Sequence, residues 1–408
     1  MGNLRFVEFM IILSFTVLNI PPIYAQFSNN KIEDDYSFEL EKPLEFYSNT
    51  RYNRVEGLFL NFGLKLRPQS MPKLQIYGDA GWGFDNQSDK KFRYAVGIRK
   101  DLFAIKRLSL GAEIFKKVES QDDWIIGDVE NSLAAFFFRE DFKDYYGAQG
   151  FKIYLDHRFL GIHTIRFEVG HRTFDALRKN TNWSVFGGDK DFEENPAKNE
   201  AFIAEGDEIG LKLIAAFDWR DNPIFPLSGW YLESIYERTF EDFNTDGLFL
   251  SIKRFQQMYG NQRLFIRFLI GTRHGSSAEQ YTMDIGGFGS LRGFDDKEFS
   301  GNRMVMLNAN YLFGGDVLQK IPLHRLPVFG VLWSVLSFGI FLDTGWAWTT
   351  DPEDGLFDGF GQLTLDKLKT DLGFSILVLD GVFRMDVAKR TERSNDDFRI
   401  TFRLLEKF

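Results

Sequence analysis

The sequence predicts an all-β protein, namely a 16-stranded antiparallel transmembrane β-barrel with an extracellular loop folded into the lumen. Three observations predict this fold. Apolar and polar residues alternate along many short segments, an export signal opens the chain, and no later stretch is long and apolar enough to form a membrane helix. Because every backbone polar group must be paired inside a bilayer, an exported chain without such a helix can span a membrane only as a closed barrel.

The alternation is clearest at the C-terminus. The segment FRITFRLLEKF (398–408) sets phenylalanine, isoleucine and leucine on one parity and mainly arginine, threonine and lysine on the other. Segments 55–66, 336–345 and 381–389 repeat this period of two. A soluble β-sandwich also alternates, but here the polar faces carry many glycines together with arginine and aspartate, and the chain ends on the aromatic Phe408. These features favour apolar faces turned toward lipid.

Sixteen segments are predicted to be strands, an even number that is typical of bacterial barrels. They are 54–66, 73–84, 91–101, 106–118, 130–139, 149–159, 162–174, 206–219, 229–240, 247–258, 261–273, 302–314, 334–347, 363–378, 381–390 and 397–408. The segment 130–139 also fits a short helix. With both termini on the periplasmic side, the long connections 175–205 and 274–301 fall outside the cell.

The first 25 residues are predicted to be a secretory signal peptide. Arg5 precedes a mostly apolar run over residues 7–20, two prolines end that run, and Ala25 offers a cleavage site. The alternative is a buried N-terminal helix. We therefore expect three parts, which are a signal peptide (1–25), a short periplasmic N-terminal segment (26–53) and an outer-membrane β-barrel (54–408).

Composition narrows the possible functions. The net charge of −9 over 408 residues argues against a nucleic-acid partner. The absence of cysteine excludes disulfides, thiolate metal sites and cysteine nucleophiles. The chain has 45 phenylalanines, yet its mean hydropathy is −0.24, so the apolar residues must be interleaved with polar ones.

Known catalytic and metal motifs do not fit this sequence. The five histidines lack zinc-site spacing, although His163 and His171 could share a strand face, and there is no Gly-x-Ser-x-Gly elbow. The segment DFNTDG (242–247) begins like a calcium loop, but Lys253 stands where glutamate is needed, so it is predicted to be a hairpin turn. We expect no enzyme activity, no cofactor and no metal.

The glycine-rich run GGFGSLRGFDDKEFSG (286–301) lies in the second long connection. It is not a phosphate loop, because no Lys-Ser/Thr pair follows a glycine and Arg292 stands at the third glycine position of a dinucleotide fingerprint. A strand over 303–313 follows it rather than a helix. Its length and glycine content would let it fold back into the barrel.

Several motifs, taken in order, resemble those of the BamA/TamA-like outer-membrane proteins of the bacterial surface antigen type, which insert or translocate other proteins. GGFGSLRGF (286–294) resembles their loop motif, and FLDTGWAW (341–348) resembles their F-x-D-x-G strand motif. Three further segments are similar to a periplasmic turn, the penultimate hairpin and the first barrel strand of the family, namely 218–230, 371–389 and 51–60. The resemblance runs from about residue 51 to residue 408.

The resemblance implies an internal latch, in which the loop arginine, Arg292, contacts Asp343 inside the lumen. Alternation independently places Asp343 on the polar face of its strand. The alternative is a solvated surface arginine. The residues implied are Leu291, Arg292, Gly293 and Phe294 in the lumen loop motif, Asp343 as latch partner, Phe341 and Gly345 in the strand motif, and Phe402 and Phe408 in a C-terminal assembly signal.

The resemblance also implies protein insertion, assembly or translocation at the outer membrane of a Gram-negative bacterium. Expected partners are outer-membrane lipids, lipopolysaccharide, and client or partner proteins of the outer membrane and periplasm. Residues 26–53 are too few for the periplasmic POTRA domains of the family, so we expect partner proteins to deliver clients. A weak seam between the first and last strands would template a client strand. A structural subunit of a larger complex and a passive pore remain alternatives.

Overall fold

The computed structural model describes part of the chain, and residues 1–25, which were predicted to be a signal peptide, and Phe408 lie outside the described residues. The described residues are 42–404 except 88–89, 104–107, 161, 199–200, 224–225, 277, 314–335, 352 and 393–397. Within them, no helix has the length and apolar character needed to cross a membrane.

The described part of the chain is built almost entirely from antiparallel strands. They are β1 (Leu44–Tyr47), β2 (Arg51–Asn53), β3 (Gly57–Leu66), β4 (Leu74–Gly83), β5 (Phe92–Asp101), β6 (Leu108–Glu119), β7 (Tyr146–Phe159), β8 (His163–Ala176), β9 (Gly206–Asp218), β10 (Gly229–Glu241), β11 (Asp246–Gln257), β12 (Arg263–His274), β13 (Met283–Ile285), β14 (Phe299–Gly301), β15 (Arg303–Phe313), β16 (Leu336–Trp348), β17 (Lys369–Val378), β18 (Phe383–Arg390) and β19 (Arg399–Leu404). An α-helix, α1 (Asp128–Phe138), lies between β6 and β7.

One sheet holds seventeen of these strands, and β13 and β14 form a separate hairpin. From β3 onward each strand pairs with the next one along the chain, with β12 pairing to β15 across the hairpin. Strands β1 and β2 pair with opposite ends of β3 and so share one position. The sheet is therefore a meander of sixteen positions, with β1 and β2 together at its start and β19 at its end.

The exposed face of the sheet is apolar and the buried face is polar. On β3, Phe62 is 61% exposed while its neighbour Asn61 is 7% exposed. On β19, Phe402 is 69% exposed while Arg403 is 9% exposed. A water-soluble sandwich would bury the apolar residues. The inverted pattern is the one predicted for strands that face lipid.

The structure contradicts one predicted strand and adds another. Residues 130–139 are not a strand, because α1 covers nearly all of them. Asp128 and Glu130 lie in the first turn of this helix, where carboxylates favour the helix dipole. The sheet also begins earlier than predicted, because β1 and β2 lie within the segment 26–53. The segment 54–66 was predicted to be the first strand, but it contains β3, which occupies the second position of the sheet. β3 therefore runs in the opposite direction to the one predicted.

Four long connections leave one end of the sheet, here called the long-loop end, and they are residues 120–145, 177–205, 275–302 and 349–368. At the opposite end the connections 160–162 and 258–262 are short, while the connection 314–335 is long and lies outside the described residues. Two of the four long connections were predicted as 175–205 and 274–301. The connection 120–145, here called the α1 connection, emerged only once 130–139 proved to be helical.

The connection that precedes β15 folds onto the buried face. Its Leu291 and Phe294 are fully buried and pack with Met304 and Met306 of β15 in one hydrophobic cluster. This apolar contact places the glycine-rich run, residues 286–301, against the polar side chains of the neighbouring strands. That run is called the glycine loop below.

Candidate latch on the buried face of the sheet

The glycine loop reaches the sheet by a backbone path that only glycine follows without strain. Gly286, Gly287 and Gly289 have φ values of +124°, +70° and +70°. A Cβ on Gly289 would lie 2.4 Å from the carbonyl oxygen of Ile125. The glycines therefore permit both the turn and the close approach of this loop to the α1 connection.

Arg292 and Asp343 form a buried bidentate ion pair. The Arg292 Nε donates to Asp343 Oδ2 at 2.7 Å, and its Nη2 donates to Oδ1 at 2.8 Å. The Arg292 guanidinium also lies over the Phe341 ring, with 3.4 Å between its Cζ and the ring centroid. Arg292 is 6% exposed and Asp343 is 0% exposed. This geometry excludes a solvated surface arginine at position 292.

The pair belongs to a polar network across neighbouring strands. Asn310 Oδ1 on β15 accepts from Arg292 Nη2 at 3.0 Å and from Arg384 Nη2 at 2.9 Å. Arg384 Nε in turn donates to Asp386 Oδ1 at 2.8 Å. On the other side, Asn308 Nδ2 donates to Asp343 Oδ1 at 2.8 Å. These hydrogen bonds fix the orientation of the arginine and partly offset the cost of burying its charge.

Gly293 and Phe294 extend the contact to β17 and β18. The Gly293 N–H donates to Asp371 Oδ2 at 3.0 Å, and the Gly293 carbonyl accepts from Arg390 Nε at 2.9 Å. The Arg390 guanidinium lies over the Phe294 ring, 4.5 Å from its centroid. A Cβ on Gly293 would lie 2.7 Å from the Cβ of Asp371, so the loop has no room for a larger residue here.

The remaining predicted residues have different surroundings. Gly345 lies on β16, where an added Cβ would be 2.8 Å from the carbonyl oxygen of Val305. Phe402 is on the exposed face of β19 and is not part of the latch. Phe408 lies outside the described residues. The structure therefore brings together Leu291, Arg292, Gly293, Phe294, Phe341 and Asp343, and their functional role remains a prediction.

Asn308, Asn310, Arg384 and Asp386 were not predicted as site residues. The alternation of the sequence placed them on polar strand faces, and this was the only sequence feature that could have indicated them. Their mutual contacts depend on the register between β15, β16, β17 and β18, which periodicity does not specify.

A second charged contact joins the glycine loop to the α1 connection. Lys297 Nζ lies 2.7 Å from Asp122 Oδ2 and 2.5 Å from Asp144 Oδ2. Burial alone would lower the pKa of Lys297, but the carboxylates of Asp122 and Asp144 raise that pKa above its usual range. The ammonium is therefore charged and links the two connections. No sequence signal pointed to this contact, because the partners are 153 and 175 residues away.

Three buried carboxylates next to Lys297 have the residue types of a cation site. Oxygens of Asp144, Glu279 and Asp284 lie within 4.8 Å of one another. Both oxygens of Asp144 already accept from cations, one from Arg54 Nη2 at 2.6 Å and one from Lys297. Burial, together with the charge of Asp284, raises the pKa of Glu279 to about 8. The cations Arg54 and Lys297 thus neutralise Asp144, and a retained proton neutralises Glu279.

These features define the class of fold. The protein is an all-β antiparallel meander, with its apolar face exposed and a loop docked on its polar face, and this organisation is consistent with a β-barrel.

Comparison with solved structures gives a similar fold. The structure of BamA from Haemophilus ducreyi lacking POTRA domains 1–3 matches at 12% sequence identity and a TM-score of 0.57, over 89% of this chain and 70% of that one. CdiB from Acinetobacter baumannii and CdiB from Escherichia coli match 89% of this chain with TM-scores of 0.41 and 0.43 and identities of 12% and 13%, over 60% and 62% of their own length. The CdiB similarities are too weak to support a shared fold by themselves.

The family comparison gives no functional name. A family model described as "Family of unknown function (DUF5686) C-terminal domain" matches residues 24–218, which is slightly less than half of the chain. No curated protein matches this sequence.

Proposed function

We propose that this protein is a non-enzymatic outer-membrane β-barrel of the BamA/TamA-like type, which inserts or translocates other proteins at the outer membrane of a Gram-negative bacterium together with partner proteins. In this proposal the end strands β1, β2 and β19 meet and close the barrel, and the glycine loop lies in its lumen.

The observation that carries the proposal is the buried contact between Arg292 and Asp343. It joins the loop motif and the strand motif on which the family resemblance rests, and it occurs in a fold similar to that of BamA. A passive scaffold does not need a buried ion pair between a loop and a strand, since apolar packing of the same volume is often as stable. The pair is therefore better explained by a required loop position.

The exposed apolar face supports a location in lipid. Leu60 and Phe62 on β3, and Ile400 and Phe402 on β19, all point outward. Acyl chains of the outer membrane would cover these side chains. The long-loop end would then face the cell exterior and the lipopolysaccharide, and both termini would lie in the periplasm.

The proposed activity depends on the two end strands. A strand edge with free backbone groups can pair with an incoming strand, which is the physical basis of β-strand addition. β2 has three residues, so its pairing with β19 would be short and easily opened. Client strands would add at this edge, while the docked glycine loop keeps the wall formed by β15–β18 in register.

The proposal can be tested by reconstitution. Purified protein in liposomes should accelerate the folding of a small client barrel supplied in urea, and Arg292→Glu should remove most of that acceleration. Arg178→Glu is the matched control, because Arg178 is an exposed arginine in another long connection. Equal client folding with and without the protein would refute the proposal.

The alternatives give different results in the same preparation. A passive pore would conduct ions steadily without affecting client folding, whereas here the α1 connection and the glycine loop occupy the buried face and predict low conductance. A structural subunit would give neither activity, and would be recovered from its native membrane with fixed partners in mild detergent.

A further inference from the structure

We propose that α1 is a clamp across the two end strands, and that the edge between β2 and β19 opens only when α1 leaves its place. This inference concerns the regulation of the proposed site and rests on the proposed function only for its biological meaning.

The first half of the clamp is on β19. Glu130 of α1 accepts from the Leu404 backbone N–H at 2.7 Å through Oε1 and from Arg403 Nη2 at 3.1 Å through Oε2. The side chains of Glu130 and Arg403 are both 9% exposed. One buried carboxylate thus binds a backbone donor and a charged side chain of the same strand.

The second half is on β2. The Tyr52 backbone N–H donates to Ser132 Oγ of α1 at 3.1 Å. The Tyr52 ring packs edge-on against Phe136, with ring centroids 5.4 Å apart, and Ala135 is fully buried in the same cluster. The helix therefore contacts this strand by both a polar and an apolar interaction.

Helix geometry explains how α1 holds both strands. Glu130 and Ser132 are two residues apart, so they are separated by about 3 Å along the axis and by roughly 200° around it. Their side chains therefore leave opposite sides of the helix, so one helix can contact both end strands. The backbone N–H groups of Tyr52 and Leu404, which strand pairing would otherwise use, are bonded to α1 side chains.

The clamp is also connected to the glycine loop. The Arg403 guanidinium that binds Glu130 lies over the Phe288 ring of that loop, 4.4 Å from its centroid. At the base of α1, Lys143 Nζ lies 2.7 Å from Asp123 and 2.6 Å from Asp128. The α1 connection thus ties the loop, the helix and the end strands together. A movement of the glycine loop would reach the strand edge through Arg403.

Hydrogen–deuterium exchange of the full protein in detergent tests the clamp without any client. In Glu130→Gln and Ser132→Ala, a shared opening predicts faster exchange of both β19 and β1–β2. The expected factor is roughly 10- to 100-fold for Glu130, which makes charge-assisted hydrogen bonds, and about 2- to 10-fold for Ser132, which accepts a neutral one. Strands β9 and β10, on the far side of the meander, should be unchanged. Glu140→Gln is the matched control, since the Glu140 side chain is 45% exposed and forms its ion pair with Lys190, away from both end strands.

Each result bears on the clamp separately from the proposed function. Faster exchange at the mutated contact alone would overturn the clamp. Unchanged exchange would also overturn it, provided that the variant is folded, as judged by a change of gel migration on heating. Coupled opening of both end strands supports it, even if client folding is unaffected, in which case only the proposed insertion activity fails. Coupled opening together with faster client folding supports both.

Discussion

Charge reversal at Arg292 is the most direct perturbation of the latch. Arg292→Glu removes the two guanidinium N–H donors that contact Asp343 and leaves only the backbone N–H of residue 292 to reach this carboxylate. It also places a second carboxylate beside a residue that is 0% exposed and paired across the strands with Asp371. Breaking a buried ion pair in this way costs about 3–5 kcal/mol. We expect the docked loop to lose stability by this amount.

Chymotrypsin digestion in detergent measures that loss, because it cleaves after the phenylalanines of the glycine loop and does not depend on Arg292. If cleavage follows loop opening at equilibrium, a cost of about 3 kcal/mol raises its rate about a hundredfold. The second change Asp343→Arg should restore part of the protection, since the swapped pair regains the charge attraction but not the hydrogen bond to Asn310 or the stacking on Phe341. Equal cleavage of wild type and Arg292→Glu would refute the latch, and Arg178→Glu should match wild type.

Three further predictions concern Gly293, Glu279 and Phe402. Gly293→Ala should destabilise the docked loop by about 1–3 kcal/mol, because its Cβ would clash with Asp371; protection from chymotrypsin equal to wild type would contradict this. The pKa of Glu279 is raised from 4.5 to about 8 by burial and by the charge of Asp284, so between these pH values the folded state keeps a proton that the unfolded state releases. The stability of the folded loop should therefore fall as pH rises from 4.5 to about 8. Glu279→Gln should flatten that dependence in thermal unfolding at pH 5 to 9, and an unchanged slope would argue against it. If Phe402 lies at mid-membrane depth, Phe402→Lys should lower the free energy of unfolding by about 2–4 kcal/mol. Urea unfolding of the protein in lipid vesicles measures this change, and a neutral effect would place this face of β19 outside the acyl region.

Alternation predicted much of the sheet because its exposed apolar face and its buried polar face impose opposite demands on successive residues. It failed at 130–139, where LAAFFF is a short apolar run whose periodicity fits a strand or a helix equally well. In the structure these residues form α1, which packs on Tyr52 and binds Arg403 through Glu130. It also missed β1 and β2, because four and three residues are too few to show a period.

The latch could be located from sequence only in part. The family resemblance indicated Arg292 and Asp343, and the structure brings them into contact. The partners Asn310 and Arg384 depend on cross-strand register, and Lys297 depends on a contact between two connections that are distant in sequence. Neither a local pattern nor a residue type specifies such pairs.

The network around Asp343 also predicts an order of events during folding of the protein. β15, β16 and β18 contribute Asn310, Asp343 and Arg384, but the arginine that completes the charge balance arrives on a loop. Until that loop docks, this part of the sheet carries the carboxylates of Asp343 and Asp386 without the guanidinium of Arg292, which contacts both of them. It should therefore be the last part of the nascent protein to become rigid, so that arrival of the loop serves as an internal check that the neighbouring strands have been assembled in the correct alignment.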